Sequence, residues 1–411
     1  MIGNKIINDK IVFILTLIII VFSDDTMMFG TNESTFFIGM KYIVQILLCI
    51  AFVLLFIGDQ SVRRVNLPGQ NCLILCTVVV ISMMINRDIR SGYFSIIIVI
   101  VMSYLFAYYV EFKSFFVCLE KIVYVLSICS IIGTIVAKMV PGLLSYFPTI
   151  TNSAGFEFSN GLVFVYSDIW GRSFGIFREP GVFQMFIILG TIIYLYIAEK
   201  ISIFRVVIYS IAIILTYSTT GFIALFIVLL LYMVKLGKQN IKLFCSLIIV
   251  FCVGVGVLIT KTNVLSANGI VFSKFRNTGI MDLSAAARYS SVTSNLKMWL
   301  TNPLFGRGLS YVDSNFLLMT IRDYGINTGS NTNTLLCMLS TYGIFFVGMI
   351  LNGYFKLVQV LSKRKIERLL IALVLFILSC GERLTFSPII YVLCFYGMQV
   401  NYEHRRFSDE Q

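Results

Sequence analysis

GRSFGIFREPGVFQMFIILGTIIYLYIA, running from Gly171 to Ala198, changes character halfway along. Arg172, Arg178 and Glu179 stand among glycines and aromatics, and then Pro180 and Gly181 open an apolar run from Val182 to Ala198. Proline suits the first turn of a helix, where the N–H it lacks would have no intrahelical partner. The run approaches the ~20 residues that a bilayer-spanning helix needs. Charged side chains at such a boundary are costly unless paired, solvated or put to use. The stretch predicts a membrane helix with a charged cluster at its head, and the rest of the chain reads as scaffold and partner for that cluster.

Composition extends this reading to the whole molecule. Of 411 residues 58% are hydrophobic and 13% charged, with mean hydropathy +0.91. A soluble domain carries about 25% charged residues. The chain therefore reads as a single integral membrane domain over residues 1–411, with no separate soluble domain. Apolar runs recur at roughly 11–22, 36–58, 71–85, 93–110, 115–137, 181–198, 203–217, 220–235, 243–260, 332–355, 367–380 and 387–400, which predicts about twelve spans. The count is eleven if 203–217 and 220–235, parted only by Ser218-Thr219-Thr220-Gly221, form one kinked helix. The fold class is thus an all-α polytopic membrane protein. Lys5 and Lys10 precede the first run and no small-x-small pattern follows it, so it reads as a retained span rather than a cleaved signal.

The net charge of +12 is spread over loops rather than gathered on one surface, which argues against nucleic acid as a partner. Lysines and arginines concentrate in alternate short connections, among them Arg63 and Arg64, Lys113 and Lys121, Lys200 and Arg205, and Lys363 to Arg368. By the positive-inside rule these connections and both termini are cytoplasmic. Arg87 and Arg90 alone run against the pattern. Two long loops, about 138–180 and 261–331, then fall on the outer face. Long loops between tightly connected helices are the usual carriers of function. The ten cysteines lie in apolar runs and read as small hydrophobes, and the single histidine, His404, lies in the polar tail. Imidazole-based catalysis and metal binding are thereby excluded from the outer loops.

Arginine grips phosphate oxygens with two parallel N–H donors, which lysine cannot copy. Arg172 and Arg178 in the first loop, with Arg276, Arg288 and Arg307 in the second, are candidate contacts for the head group of a diphosphate-linked lipid. In the second loop Ser284 to Leu300 predicts a helix ended by Asn302-Pro303, with Tyr289, Val292, Leu296 and Trp299 on one apolar stripe. That stripe suits packing against the protein or lying on the membrane surface. Glu179 has two readings: a charge partner for Arg178, or a general base on a sugar hydroxyl. Displacing a glycan from a lipid diphosphate needs no general acid, because the leaving group is already a stabilised anion. One base and charge stabilisation of the diphosphate suffice. No metal site and no cofactor is expected, since neither loop carries an acidic cluster for Mg²⁺.

At these residues the chain resembles the Wzy-type polymerases of O-antigen and capsular polysaccharide. The resemblance rests on Arg172, Gly175, Phe177, Arg178, Glu179 and Pro180 entering a helix, and on the serine–threonine break at 218–221. It rests also on Arg288, Trp299, Asn302-Pro303, Gly306-x-Gly308, Asn331-Thr332-Asn333 and Tyr342-Gly343. It implies a metal-independent membrane glycosyltransferase of GT-C type acting on undecaprenyl-diphosphate-linked oligosaccharides at the outer leaflet of the bacterial inner membrane. By the same resemblance the family's outer-loop arginines carry over to Arg172, Arg178, Arg288 and Arg307; with the residues read above, Arg172, Arg178 and Glu179 are the catalytic candidates, Arg276, Arg288 and Arg307 the diphosphate-binding ones, and a chain-length regulator is a candidate partner. One departure stands out: ligases of this superfamily place a His-Asn pair where this chain has Ser330-Asn331. A ligase using the same donor is the alternative. A transporter of lipid-linked oligosaccharide is a third reading, disfavoured by the charge-free middles of the spans and the lack of an internal repeat.

Overall fold

The computed structural model describes residues 7–58, 67–167, 171–236, 283–324 and 331–399. The first half is built from helices α1 (Asp9–Val21), α2 (Met27–Gly30), α3 (Thr35–Gly58), α4 (Gly69–Ile85), α5 (Ser91–Tyr109) and α6 (Phe112–Met139). Then come α7 (Pro180–Ile197), α8 (Ile203–Leu215), α9 (Thr219–Leu236), α10 (Leu283–Thr301) and α11 (Gly308–Tyr324). The last four are α12 (Thr334–Tyr342), α13 (Ile344–Leu361), α14 (Lys365–Gly381) and α15 (Pro388–Gly397). Among the described residues five helices are long and apolar enough to cross a membrane, namely α3, α5, α6, α7 and α13; α4, α8, α9 and α15 are shorter apolar helices. The protein is a helical, multi-pass membrane protein. The expected span at 243–260, Arg276 and His404 lie outside the described residues.

Two of the expected runs resolve differently from one another. The pair at 203–217 and 220–235 is two helices, because Tyr217 takes a φ of +50° and the Thr216 hydroxyl turns back onto the Ile213 carbonyl at 2.6 Å. The single run at 332–355, by contrast, is broken into α12 and α13 at Gly343, whose φ is +83°. The second-loop turn fills this break. Arg307 N–H donates to the Ser340 carbonyl at 2.7 Å and Ile344 N–H to the Pro303 carbonyl at 3.0 Å. A Cβ at Gly343 would run into the Leu304 backbone, and one at Gly306 into the Thr341 backbone. Left-handed φ and so close a backbone approach are what glycine alone tolerates.

The first long loop adds to the helical bundle one small antiparallel sheet of β1 (Thr149–Thr151), β2 (Glu157–Asn160) and β3 (Val165–Tyr166), which the apolar runs did not signal. Ile150 pairs with Phe158, and both turn inward with Val165 and Phe174 onto Met27 of α2. The polar stretch at 151–155 is the hairpin turn, where the Asn152 side chain accepts from the N–H groups of Ala154 and Phe156 at 3.0 Å. Such local side-chain bonds to the backbone are why asparagine favours turns.

In the second loop α10 matches the predicted helix, and the face it buries is the polar one. Ser290, Ser291, Ser294 and Asn295 are buried, whereas Tyr289 and Val292 are 52% and 39% exposed. The apolar stripe therefore does not pack inward at these two residues. Polar pairing selects the inward face instead. The Asn295 and Asn331 amides exchange hydrogen bonds at 3.0 and 3.2 Å, Ser340 Oγ donates to Asn295 Oδ1 at 2.8 Å, and Thr332 N–H donates to Ser291 Oγ at 2.9 Å. Asn333 caps α12 by accepting from Leu336 N–H at 2.9 Å. The turn after α1, the sheet, the heads of α7 and α9, and the α14–α15 connection are tied together with α10 and α12 at one end of the bundle. Arg205 with Glu120 and the Tyr196–Glu367 pair mark the other end.

Candidate functional site

The site grows from the head of α7. Phe177 is fully buried and stacks on Phe183 and Phe186, with ring centroids 5.6 and 4.4 Å away. This apolar clamp across the helix start fixes the angle at which the chain enters, as a hydrophobic staple does. Glu179 is then the N-cap residue. Its carbonyl accepts from Val182 and Phe183 N–H at 3.1 Å, while its side chain makes no capping bond. The residue is exposed at the head of the helix.

Arg178, one residue earlier, turns inward. Its N–H donates to the Asp25 carbonyl at 2.9 Å and its guanidinium donates to the Arg383 carbonyl. Its Nε is buried without a hydrogen-bond partner. Burial works against the charge, but Glu179, Asp24, Asp25 and Glu382 surround the guanidinium and together raise its pKa. The Asp25 contact comes from the turn between α1 and α2, which Thr26 bridges to Phe177. Asp25 Oδ2 accepts from Ser387 Oγ at the head of α15, while Oδ1 has no partner. Burial pushes the Asp25 carboxyl up to about 6, against the lowering effect of the Ser387 bond.

Glu382, from the connection between α14 and α15, completes the group. Its side chain lies over Gly181 in the first turn of α7, where no Cβ would fit. Its carboxyl is held well above the ordinary carboxylate range, first by burial and then by the Glu179 carboxylate, with which it shares a hydrogen bond; Arg178 and Arg288 pull the other way. Two carboxyls side by side cannot both ionise cheaply. Arg288 reaches in from α10 and donates to Thr220 Oγ1, in the serine–threonine break at the head of α9. Thr334 at the head of α12 donates to the Glu382 carbonyl and accepts from Leu384 N–H at 2.9 Å, which holds the connection in place.

Of the sequence candidates, Arg178, Glu179 and Arg288 converge through Glu382. Arg172 lies in the segment that crosses the end of α8, where the following Ser173 N–H donates to the Leu215 carbonyl at 3.0 Å. Arg307 sits in the turn that fills the Gly343 break, its guanidinium 4.2 Å from the Tyr311 ring centre and its Nε without a hydrogen-bond partner. Asp25 and Glu382 were not among the candidates. Their one sequence signal was charge in a connection on the same face as Arg178. Arg383, next to Glu382, donates to Asp313 of α11 at 3.0 Å, and Arg90 reaches the same carboxylate at 3.4 Å. Arg90, one of the two exceptions to the charge pattern, is thus spent on tying down the second loop. Among the described residues no group of three His, Cys, Asp or Glu side chains could hold a metal ion.

Residues 204–353 match the family model described as O-antigen ligase. The matched stretch takes in Thr220, Arg288, Arg307 and the Asn331–Asn333 segment, and it supports the O-antigen ligase/polymerase superfamily for this chain. No curated protein and no solved structure matches it.

Proposed function

We infer that this chain, on the strength of its superfamily, is a membrane glycosyltransferase that polymerises polysaccharide, moving a growing glycan from undecaprenyl diphosphate onto a lipid-linked repeat unit at the outer leaflet. The observation that carries the reading is the meeting of Arg178, Glu179, Glu382 and Arg288, drawn from three distant parts of the chain to one set of helix ends. In the transfer, the acceptor hydroxyl oxygen bonds to the anomeric carbon, and the bond from that carbon to the diphosphate breaks. The diphosphate departs with the bonding electrons, and the hydroxyl proton passes to a carboxylate. Arg178 and Arg288 stabilise the departing charge, with Arg172 and Arg307 as further diphosphate contacts; Arg276 stays a candidate from sequence alone. Glu382, less exposed than its neighbour, holds a proton and donates it in a hydrogen bond to Glu179. Glu179 is then the base offered to the acceptor. No step calls for a metal ion or a cofactor.

The architecture proposed is of GT-C type with 11–12 spans, lying in the bacterial inner membrane with both termini cytoplasmic, and with a chain-length regulator as a partner. Reporter fusions at Asn160 and Asn315 are expected to read as external and one at Arg364 as cytoplasmic. The family description favours a second reading, a ligase that attaches finished glycan to a surface acceptor. Deletion of the gene separates the two. Loss of a polymerase leaves acceptors carrying a single repeat unit, whereas loss of a ligase leaves bare acceptors and long polymer stranded on the carrier lipid. The second phenotype, restored by the wild-type chain, would overturn the polymerase reading.

A further inference from the structure

At the end of the bundle away from the charged cluster, the starts of α1 and α6 enclose a groove of about 560 Å³. Lys10 lines it from α1, and Lys113 and Lys121 line it from α6. Lys113, Val117 and Lys121 are four residues apart, so they stand on one face of their helix. All three lysines are exposed, and the groove's one carboxylate is that of Asp9. Glu120, which follows in sequence, is taken by Arg205 at 3.1 Å. Between the charges the lining is mostly apolar, with Phe13 and Ile14 from α1 and Val117 and Cys118 from α6. Along α1 the apolar lining continues as an outward surface, where Ile11 and Ile14 are 51% and 53% exposed. The groove thus joins a positively charged mouth to a strip of hydrocarbon-compatible surface on a spanning bundle.

We propose that this groove binds an anionic glycerophospholipid, with its phosphate among the three lysines and an acyl chain along the apolar face of α1. The charge pattern selects the occupant. Three ammonium groups against one carboxylate favour an anion, and the apolar strip gives a free anion nothing to bind. Basic recesses between membrane helices recognise anionic head groups by this combination. Lysine, a mobile point charge, suits a head group held loosely at the interface, in contrast to the arginines of the other end. The assignment does not depend on which glycan the protein transfers.

Native mass spectrometry of the full-length protein, taken from nanodiscs of phosphatidylcholine doped with phosphatidylglycerol, tests it. The wild-type chain is expected to retain phosphatidylglycerol in preference to phosphatidylcholine. Each Lys→Gln change at Lys10, Lys113 or Lys121 is expected to weaken that preference about fivefold, and the triple variant on the order of a hundredfold. Lys297→Gln, at the other end of the bundle, serves as the control and is expected to leave it unchanged. The lysines are exposed, and matching thermal midpoints would show that the variants stay folded. Equal retention of the two lipids, or wild-type preference in the triple variant, would overturn the proposal. So would competition by inorganic phosphate at the strength of the lipid, which would mark a free-anion site.

Discussion

Glu120 and Glu382 are both carboxylates set among helix ends, at opposite ends of the same bundle, and their neighbours treat them in opposite ways. Glu120 accepts from both sides: Arg205 at 3.1 and 3.3 Å and the Tyr209 hydroxyl at 2.7 Å. Glu367, at the same end, accepts from Tyr196 at 3.0 Å and Ser362 at 2.6 Å, with Arg364 3.5 Å away. Glu382 instead faces another carboxylate, and around it Arg178 Nε and Asp25 Oδ1 have no hydrogen-bond partner. A buried polar atom left unpaired costs about 1–3 kcal/mol. A fold that satisfies its carboxylates at one end has the means to do so at the other. The unmet hydrogen-bonding capacity around Arg178, one donor and one acceptor, is therefore a property of that place.

The sharpest way to break the comparison is to neutralise the two carboxylates separately. Glu179→Gln is expected to lower polymer formation by about 10²–10⁴-fold at unchanged protein level, the usual range for a general base. Glu382→Gln replaces a neutral acid by a neutral amide and is expected to cost less than about tenfold, the worth of one altered hydrogen bond. Equal losses, measured as polymer per unit of membrane protein, would end the division of labour between them. Arg178→Lys comes next, at about 10²–10³-fold, because a point charge does not reproduce the paired donors. Wild-type polymer from that variant would reduce Arg178 to a structural tie.

Asp25 offers a smaller effect through pH. Its carboxyl moves from an ordinary 3.8 to about 6 on folding, so the folded state binds the proton more tightly. The stabilisation this gives is complete below the lower value and is lost as pH rises through the upper one. It amounts to at most about 3 kcal/mol. Thermal midpoints of the wild-type chain are expected to rise on going from pH 7.5 to 5, and Asp25→Asn to flatten that rise. An unchanged slope would remove Asp25 as its source. The smallest effect is expected at the satisfied end. Glu367→Gln is expected to lower stability by about 1–2 kcal/mol and to leave turnover per folded molecule as it was. A loss of turnover at equal stability would spoil the contrast between the two ends.

The helices were legible because apolar runs of the right length carry their own signal, and Arg178 and Glu179 because charge at the mouth of such a run is conspicuous. What the sequence hid is long-range. Glu382 stands in a short connection between two apolar runs, and nothing local says that it folds back onto Gly181. Asp25 reads as an ordinary acidic loop residue until Ser387 is placed against it. The break at Gly343 lies inside an apolar run, because the need for glycine there arises from a contact with the Leu304 backbone and leaves no trace in hydropathy. The apolar stripe of α10 left two packings open for the converse reason: hydropathy ranks faces by their affinity for oil, and here Asn295, Ser290 and Ser291 find polar partners inside. Arg276 was legible only as a charge.

The fit of Glu382 over Gly181 binds two positions into one inheritable unit. Any side chain at position 181 occupies the space of the Glu382 carboxylate. A lineage that acquires alanine at 181 must move or shorten the acid at 382, and moving it disturbs the hydrogen bond to Glu179. Among relatives of this chain the two positions are therefore expected to change together or not at all, and a natural chain with a bulky residue at 181 marks a branch whose acid–base chemistry is arranged differently.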